Sequence, residues 1–233
     1  MKVGYLCYFS AVTNILKKEI RQLVIKEFRT EWRQKASIGG IFIYVISTVF
    51  VCYLSFKKVI DIPTWNALFW IIMLFASINA IAKSFIQESK GRLLYLYTII
   101  SPEGLILAKM IYNTVLMLIL SILCLGCYVL LVGELIQNLP LFIITLLLGS
   151  SCFAGTFTLM SAIASQASNN SSLMAILSFP VILPLLITLI QLSKNALDGL
   201  PLSVSYNYLI VLLLLNGIVT VLSWILFSYL WRD

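Results

Sequence analysis

This sequence predicts an all-α polytopic membrane protein. Six transmembrane helices are preceded by a basic amphipathic helix, and a short amphipathic cytoplasmic helix lies between spans two and three. Three observations carry that prediction. The 233 residues are 61% hydrophobic and only 11% charged, with a mean hydropathy of +1.02, well outside the usual soluble range. Apolar runs near the roughly 20 residues that a helix needs to cross a bilayer recur along the chain. The charges behind the net +7 sit mainly at the ends of those runs, not on one soluble face. Membrane orientation therefore accounts for them better than nucleic-acid binding does.

Residues 1–13 receive no role: they hold one lysine and a short apolar patch, and no small-residue cleavage site follows. From Asn14 to Lys35, Leu16, Ile20, Val24, Phe28 and Trp32 recur at every fourth position. Lys17, Lys18, Arg21, Lys26, Arg29, Arg33 and Lys35 fill the positions between. This pattern predicts a helix lying in the headgroup layer, with Lys17, Arg21, Phe28, Arg29, Trp32 and Arg33 at the membrane interface. The alternative is an ordinary helix packed on its own protein.

The six spans are read at residues 37–56, 65–82, 105–132, 139–165, 173–192 and 205–230. The third, fourth and sixth exceed the minimum length, which permits tilt or a break. Pro180 and Pro184 fall inside the fifth, where each removes a helix hydrogen bond. Two readings stay open: a packing kink whose freed carbonyls are met by neighbours or by hydroxyls such as Ser178 and Thr188, or a break where a short external helix re-enters the membrane. With the N-terminus inside, thirteen lysines and arginines fall on the cytoplasmic side and three, Lys57, Lys58 and Lys194, outside. Both termini are therefore expected in the cytoplasm.

Missing chemistry narrows the function. The chain has no histidine, so histidine metal sites, a Ser-His-Asp triad and histidine haem ligation are excluded. It has no GxxxxGK[ST] loop, so it does not hydrolyse ATP by itself in the P-loop manner. Cys124-x-x-Cys127 has redox or metal spacing but lies within the third span without a second ligand pair, which reads as packing. Few ionisable residues fall inside the spans, which disfavours a proton-coupled carrier. No catalytic, cofactor-binding or metal-binding residue is assigned, and the chain is not expected to be an enzyme.

Charge concentrates instead between Lys83 and Lys109, in Lys83, Glu88, Lys90, Arg92, Glu103 and Lys109. Glu88 and Arg92 stand at i, i+4 in the favourable order for pairing on one helical face. Leu93, Leu94, Leu96, Tyr97, Ile99 and Ile100 then supply an apolar face. Ser101-Pro102-Glu103 reads as a helix start: a capping hydroxyl, a proline at the first position and an acid at the positive dipole end. A short cytoplasmic helix thus turns sharply into the third span.

The run through Glu88, Gly91, Leu93, Leu96, Ser101-Pro102, Ala108 and Lys109 resembles the membrane subunits of type-2 ABC exporters. It is most similar to the haem exporter protein B (CcmB) family of cytochrome c maturation. The basic start LKKEIRQLVIKEFRTEWRQK and the double-proline stretch SSLMAILSFPVILPLLI are similar to that family as well, and the likeness extends over residues 14–230. It implies that residues 14–233 form an ABC-2-type transmembrane domain, with residues 14–35 as an elbow helix and Glu88 to Ile100 as a coupling helix. Glu88, Gly91, Arg92, Leu93 and Leu96 would then engage a separate ATPase, while Ser101, Pro102 and Lys109 set the angle to the third span.

The resemblance also implies a homodimeric permease in the bacterial inner membrane that binds no cofactor itself. ATP would be bound by the partner ATPase, and haem would be the cargo of a complex containing a haem-handling membrane protein and a haem chaperone. Two alternatives accompany it: an exporter permease for lipid, peptide, drug or glycan, and a non-translocating scaffold that relays ATPase motion to a haem-transfer partner.

Overall fold

The computed structural model describes residues 19–30, 35–56, 61–82, 100–167 and 171–230. Their helices are α1 (residues 19–30), α2 (Lys35–Phe56), α3 (Ile62–Ile81), α4 (Pro102–Val132), α5 (Leu139–Ala167), α6 (Ser171–Leu197) and α7 (Leu202–Leu230). The six from α2 to α7 are each long and apolar enough to cross a bilayer. The protein is an all-α polytopic membrane protein.

Local chemistry moves several helix ends outward from the expected spans. Asp61 takes an extended conformation as the N-cap of α3, and Pro63 fits its first turn, so α3 begins three residues before Trp65. The hydroxyl of Thr64 beside Asp61 holds that carboxyl below its ordinary range. α6 continues five residues past Leu192 and stops at Gly199, whose φ of 71° suits a glycine. The Leu200 N–H donates to Asn195 O at 2.9 Å, closing the Schellman-type end. Asn138 fastens this turn to the α4–α5 connection, donating to Ala196 O through its backbone and to Leu200 O through its side chain.

Helix α6 is continuous through Pro180 and Pro184, so the chain does not break there, and both prolines are exposed. Thr188 was expected to meet a freed carbonyl, but its hydroxyl donates to Pro184 O at 2.7 Å. The carbonyls that lose a proline donor are those of Ile176 and Pro180, four residues before each ring. Thr188 lies one turn too late to reach them.

Helix α5 is the hub: it packs against α3, α4, α6 and α7, whereas α2 and α7 present the most exposed surface. Its sequence explains the position. Gly149, Ser150, Ala154, Gly155, Thr156, Thr158, Ser161 and Ala162 keep its surface thin, so neighbouring backbones approach closely. Around its first half lies an aromatic core. Trp65 packs against Phe69, Tyr128 and Phe142 at ring-centroid distances of 5.9, 4.8 and 5.9 Å, and Trp70 meets Phe153 at 6.2 Å.

The polar atoms of Trp65, Trp70 and Tyr128 are satisfied. Tyr128 OH donates to Trp65 O, Trp65 Nε1 to Gly133 O, and Trp70 Nε1 to Ser193 Oγ. Ser193 donates to Asn66 Oδ1 at 2.7 Å, and Asn66 Nδ2 donates to Ile190 O at 2.9 Å, which stitches α3 to α6. Cys124 is buried against this core and Cys127 is half-buried; both are free thiols. A smaller cluster of Leu105, Ile106, Met110, Ala162 and Phe227 closes the opposite end, where α4 starts.

Candidate functional site

That opposite end carries most of the buried charge of the described residues. Ser101 is the N-cap of α4, with φ −69° and ψ 138°, and its Oγ accepts from the Gly104 N–H at 3.2 Å. Pro102 follows and Glu103 lies in the first turn, so the helix start has the capping chemistry its sequence predicts. A further acid joins it from α1. Glu19 Oε1 accepts from the Ser101 N–H at 2.8 Å and from Ser101 Oγ at 3.1 Å. The carboxylate thus sits at the positive end of the α4 dipole, bonded to two donors.

Two turns further along both helices a second contact forms. Glu27 Oε2 lies 3.8 Å from Lys109 Nζ, and the Lys109 side chain is only 1% exposed. Glu27 also meets Lys26, at 3.2 Å. One turn beyond, the Phe28 ring packs edge-on against Tyr112 with centroids 4.9 Å apart. Glu19 and Glu27 are eight residues apart, and so are Ser101 and Lys109. Equal spacing on both chains means that α1 and the first turns of α4 run side by side in the same direction for about 12 Å. Leu23, midway between the two acids, is buried.

Gly104 is required for this approach. A Cβ there would stand 2.7 Å from Ser101 Oγ and 3.2 Å from Glu19 Oε1. Deeper in α4, Asn113 is buried and donates through Nδ2 to Thr158 Oγ1 of α5 at 2.8 Å. The arrangement is a set of interhelical contacts. A salt-bridged, capped clamp joins α1 to α4, and a hydrogen bond passes from α4 to the central helix.

The sequence-predicted residues divide accordingly. Ser101, Pro102, Lys109 and Phe28 come together at the clamp, whereas Arg21 and Arg29 stay exposed on the other side of α1. Pro180 and Pro184 lie apart from it on α6. Glu88, Gly91, Arg92, Leu93 and Leu96, together with Lys17, Trp32 and Arg33, lie outside the described residues. Sequence reasoning missed Glu19 and Glu27. Their signal was present: two acids eight residues apart interrupt a basic helix, with Leu23 between them, and Ser101 and Lys109 repeat that spacing.

The family model of the CcmB protein matches residues 18–227. No curated protein matches the chain. The matched stretch takes in the clamp and all but the last three residues of α7. The chain therefore belongs to the CcmB family of permease-like ABC exporter membrane subunits.

Proposed function

We propose that this protein is the permease subunit of an ABC transporter in the bacterial inner membrane that supports haem delivery for c-type cytochrome biogenesis. In this reading a separate ATPase docks on the segment containing Glu88, Gly91, Arg92, Leu93 and Leu96, on the cytoplasmic side with both termini. The subunit works as a homodimer, with a haem-handling membrane protein and a haem chaperone as further partners. The observation that carries the mechanical part is the double clamp of Glu19 on Ser101 and Glu27 on Lys109. Movement imposed on the segment before Ser101 reaches α1 and α4 together, because Ser101 both caps α4 and is bonded to Glu19 of α1. Lys109 then acts as a positioning residue that keeps the two helices in register.

A second reading is favoured by the closely packed aromatic core: the subunit relays ATPase motion to a haem-transfer partner without passing haem through its own bundle. The test is affinity purification of the tagged chain from its native membrane, with measurement of c-type cytochromes in a deletion strain. Capture of an ATPase and loss of covalently bound haem support the proposal. Capture of an ATPase with normal cytochromes redirects the cargo towards lipid, peptide, drug or glycan, and no associated ATPase refutes the coupling role. Reconstitution of the captured complex in vesicles separates the first reading from the second by whether haem crosses the bilayer.

A further inference from the structure

Exposed aromatic residues on α7 set the depth of the clamp in the bilayer. Tyr206 is 63% exposed and Trp224 is 52% exposed. They stand 18 residues apart on one helix, a rise of about 27 Å, against the roughly 30 Å of a hydrocarbon core. Exposed tyrosine and tryptophan favour the two headgroup levels, so this pair marks both edges of the apolar layer. At the second edge Phe227 clusters with Leu105, Ile106 and Met110 of α4, and Trp224 lies one turn before it. Trp224 is therefore level with the turns of α4 that carry Lys109, which meets Glu27 of α1. The residues of α1 around Glu27 thus lie at headgroup depth.

At that depth a groove of about 230 Å³ opens along one flank of α1, lined by Gln22, Ile25, Lys26, Arg29 and Thr30. Ile25 is 47% exposed, so the groove opens away from the bundle. Two of the five lining residues are cationic and none is acidic. Lys26 also touches Glu27, at 3.2 Å, but that carboxylate is shared with Lys109. Arg29 is exposed and has no acidic partner among the described residues. A phosphodiester suits these donors. A planar guanidinium can take two of its oxygens at once, and the Lys26 ammonium adds a point charge.

We propose that this groove holds the headgroup of an anionic phospholipid, with its phosphodiester on Arg29 and Lys26 and an acyl chain passing Ile25 into the bilayer. A zwitterionic headgroup would bring an ammonium beside the same two cations, whereas an uncharged glycerol headgroup would not. Basic residues at headgroup depth attract anionic lipid in this way. The assignment rests on α1 lying at the membrane interface, not on ATPase docking or on the cargo, and its readout is separate from ATPase capture.

The test uses the intact protein in phosphatidylcholine nanodiscs, with phosphatidylglycerol and phosphatidylcholine probes that carry the same diazirine-bearing chain. Each basic residue near the membrane surface is worth about fivefold in anionic-lipid binding. With two in the groove, phosphatidylglycerol is expected to label peptides covering residues 22–30 about twentyfold more than phosphatidylcholine. Arg29→Gln should cut that preference about fivefold, and Lys26→Gln combined with it should remove the preference. Arg29→Lys, which keeps the charge, should retain most of it. Arg29 is exposed, so its replacement leaves the fold intact. Lys194→Gln, exposed near the opposite end of the bundle, should change nothing. Equal labelling by the two lipids, an unchanged preference in Arg29→Gln, or an equal loss in Lys194→Gln overturns the proposal. So does displacement of the probe by millimolar glycerol phosphate, which would assign the groove to a soluble anion. A crosslink from Gln22→Cys to a second polypeptide that excludes the probe overturns it too.

Discussion

Breaking the Glu27–Lys109 contact should reveal how firmly α1 is held to α4. At 3.8 Å the two charges attract by about 4 kcal/mol at an effective dielectric constant near 20. Desolvation opposes that gain, so the pair itself adds less than its Coulomb energy. Removing one partner is another matter, because the remaining charge stays buried while this attraction is lost; such losses run at about 3–5 kcal/mol. Lys109 is almost completely buried, and the Glu27 side chain is 11% exposed. Glu27→Gln and Lys109→Met are each expected to cost about 3 kcal/mol, towards the lower end because 3.8 Å is a long ion pair.

The double variant should cost less than the sum of the two, with a coupling energy of about 2 kcal/mol. Lys26→Met supplies the control. Lys26 is closer to Glu27, at 3.2 Å, but its side chain is 32% exposed, and exposed pairs contribute about 0–1 kcal/mol. The assay is SDS-titrated unfolding in mixed micelles, followed by tryptophan fluorescence. Additivity of the two single changes within about 0.5 kcal/mol would refute the reasoning, since uncoupled residues add to that accuracy. A Lys26→Met cost equal to that of Lys109→Met would refute it too, because burial would then not decide which contact matters.

Two further predictions concern the bundle. Gly149→Ala would place a Cβ 2.9 Å from both Trp70 Cη2 and Leu189 Cδ2. The indole is fixed by its bond to Ser193, so the substitution should destabilise by about 1–3 kcal/mol, measured by the same SDS titration. Thr156 is buried with no hydrogen-bond partner at Oγ1 among the described residues. Thr156→Val keeps its shape and removes that cost, so the midpoint of unfolding should rise, by about 1 kcal/mol; a fall would mean that the hydroxyl has a partner in the membrane.

Length and apolarity made the six spans legible, because a bilayer leaves few other ways to satisfy a backbone. Ser101-Pro102-Glu103 was equally readable, since capping depends on neighbours in sequence, and the observed N-cap hydrogen bond follows from it. What was less legible depended on contacts across the chain. Lys109 reads as a residue at the mouth of a span, yet it is buried and its ammonium meets Glu27, 82 residues earlier. Glu19 and Glu27 were hidden for a related reason. In a helix that is otherwise basic, the lysines and arginines define the amphipathic pattern, while the two acids face inward and make the tertiary contacts. The alternative of a helix packed on its own protein is realised along this face of α1 at least, through Leu23, Glu27 and Phe28. Pro180 and Pro184 were ambiguous because a proline removes one hydrogen bond, and only the surrounding packing decides whether the helix continues.

Helix α4 has a distinct place between the two ends of the bundle. Its 31 residues amount to about 46 Å, against the roughly 30 Å of a hydrocarbon core. The surplus is enough to hold the clamp at one end while the other end remains in the aromatic core. Ser101 and Lys109 are bound by α1, and Tyr128, near the far end, is bonded to Trp65 and packed against it. A displacement of the clamp along the helix axis therefore meets rigid, interlocked rings, not a compressible interior. Those rings pack at centroid separations of 4.8–6.2 Å at that end of the bundle. Between the clamp and the rings, the buried Asn113–Thr158 hydrogen bond ties α4 to α5, so a force applied at the clamp meets that contact before it reaches the aromatic core.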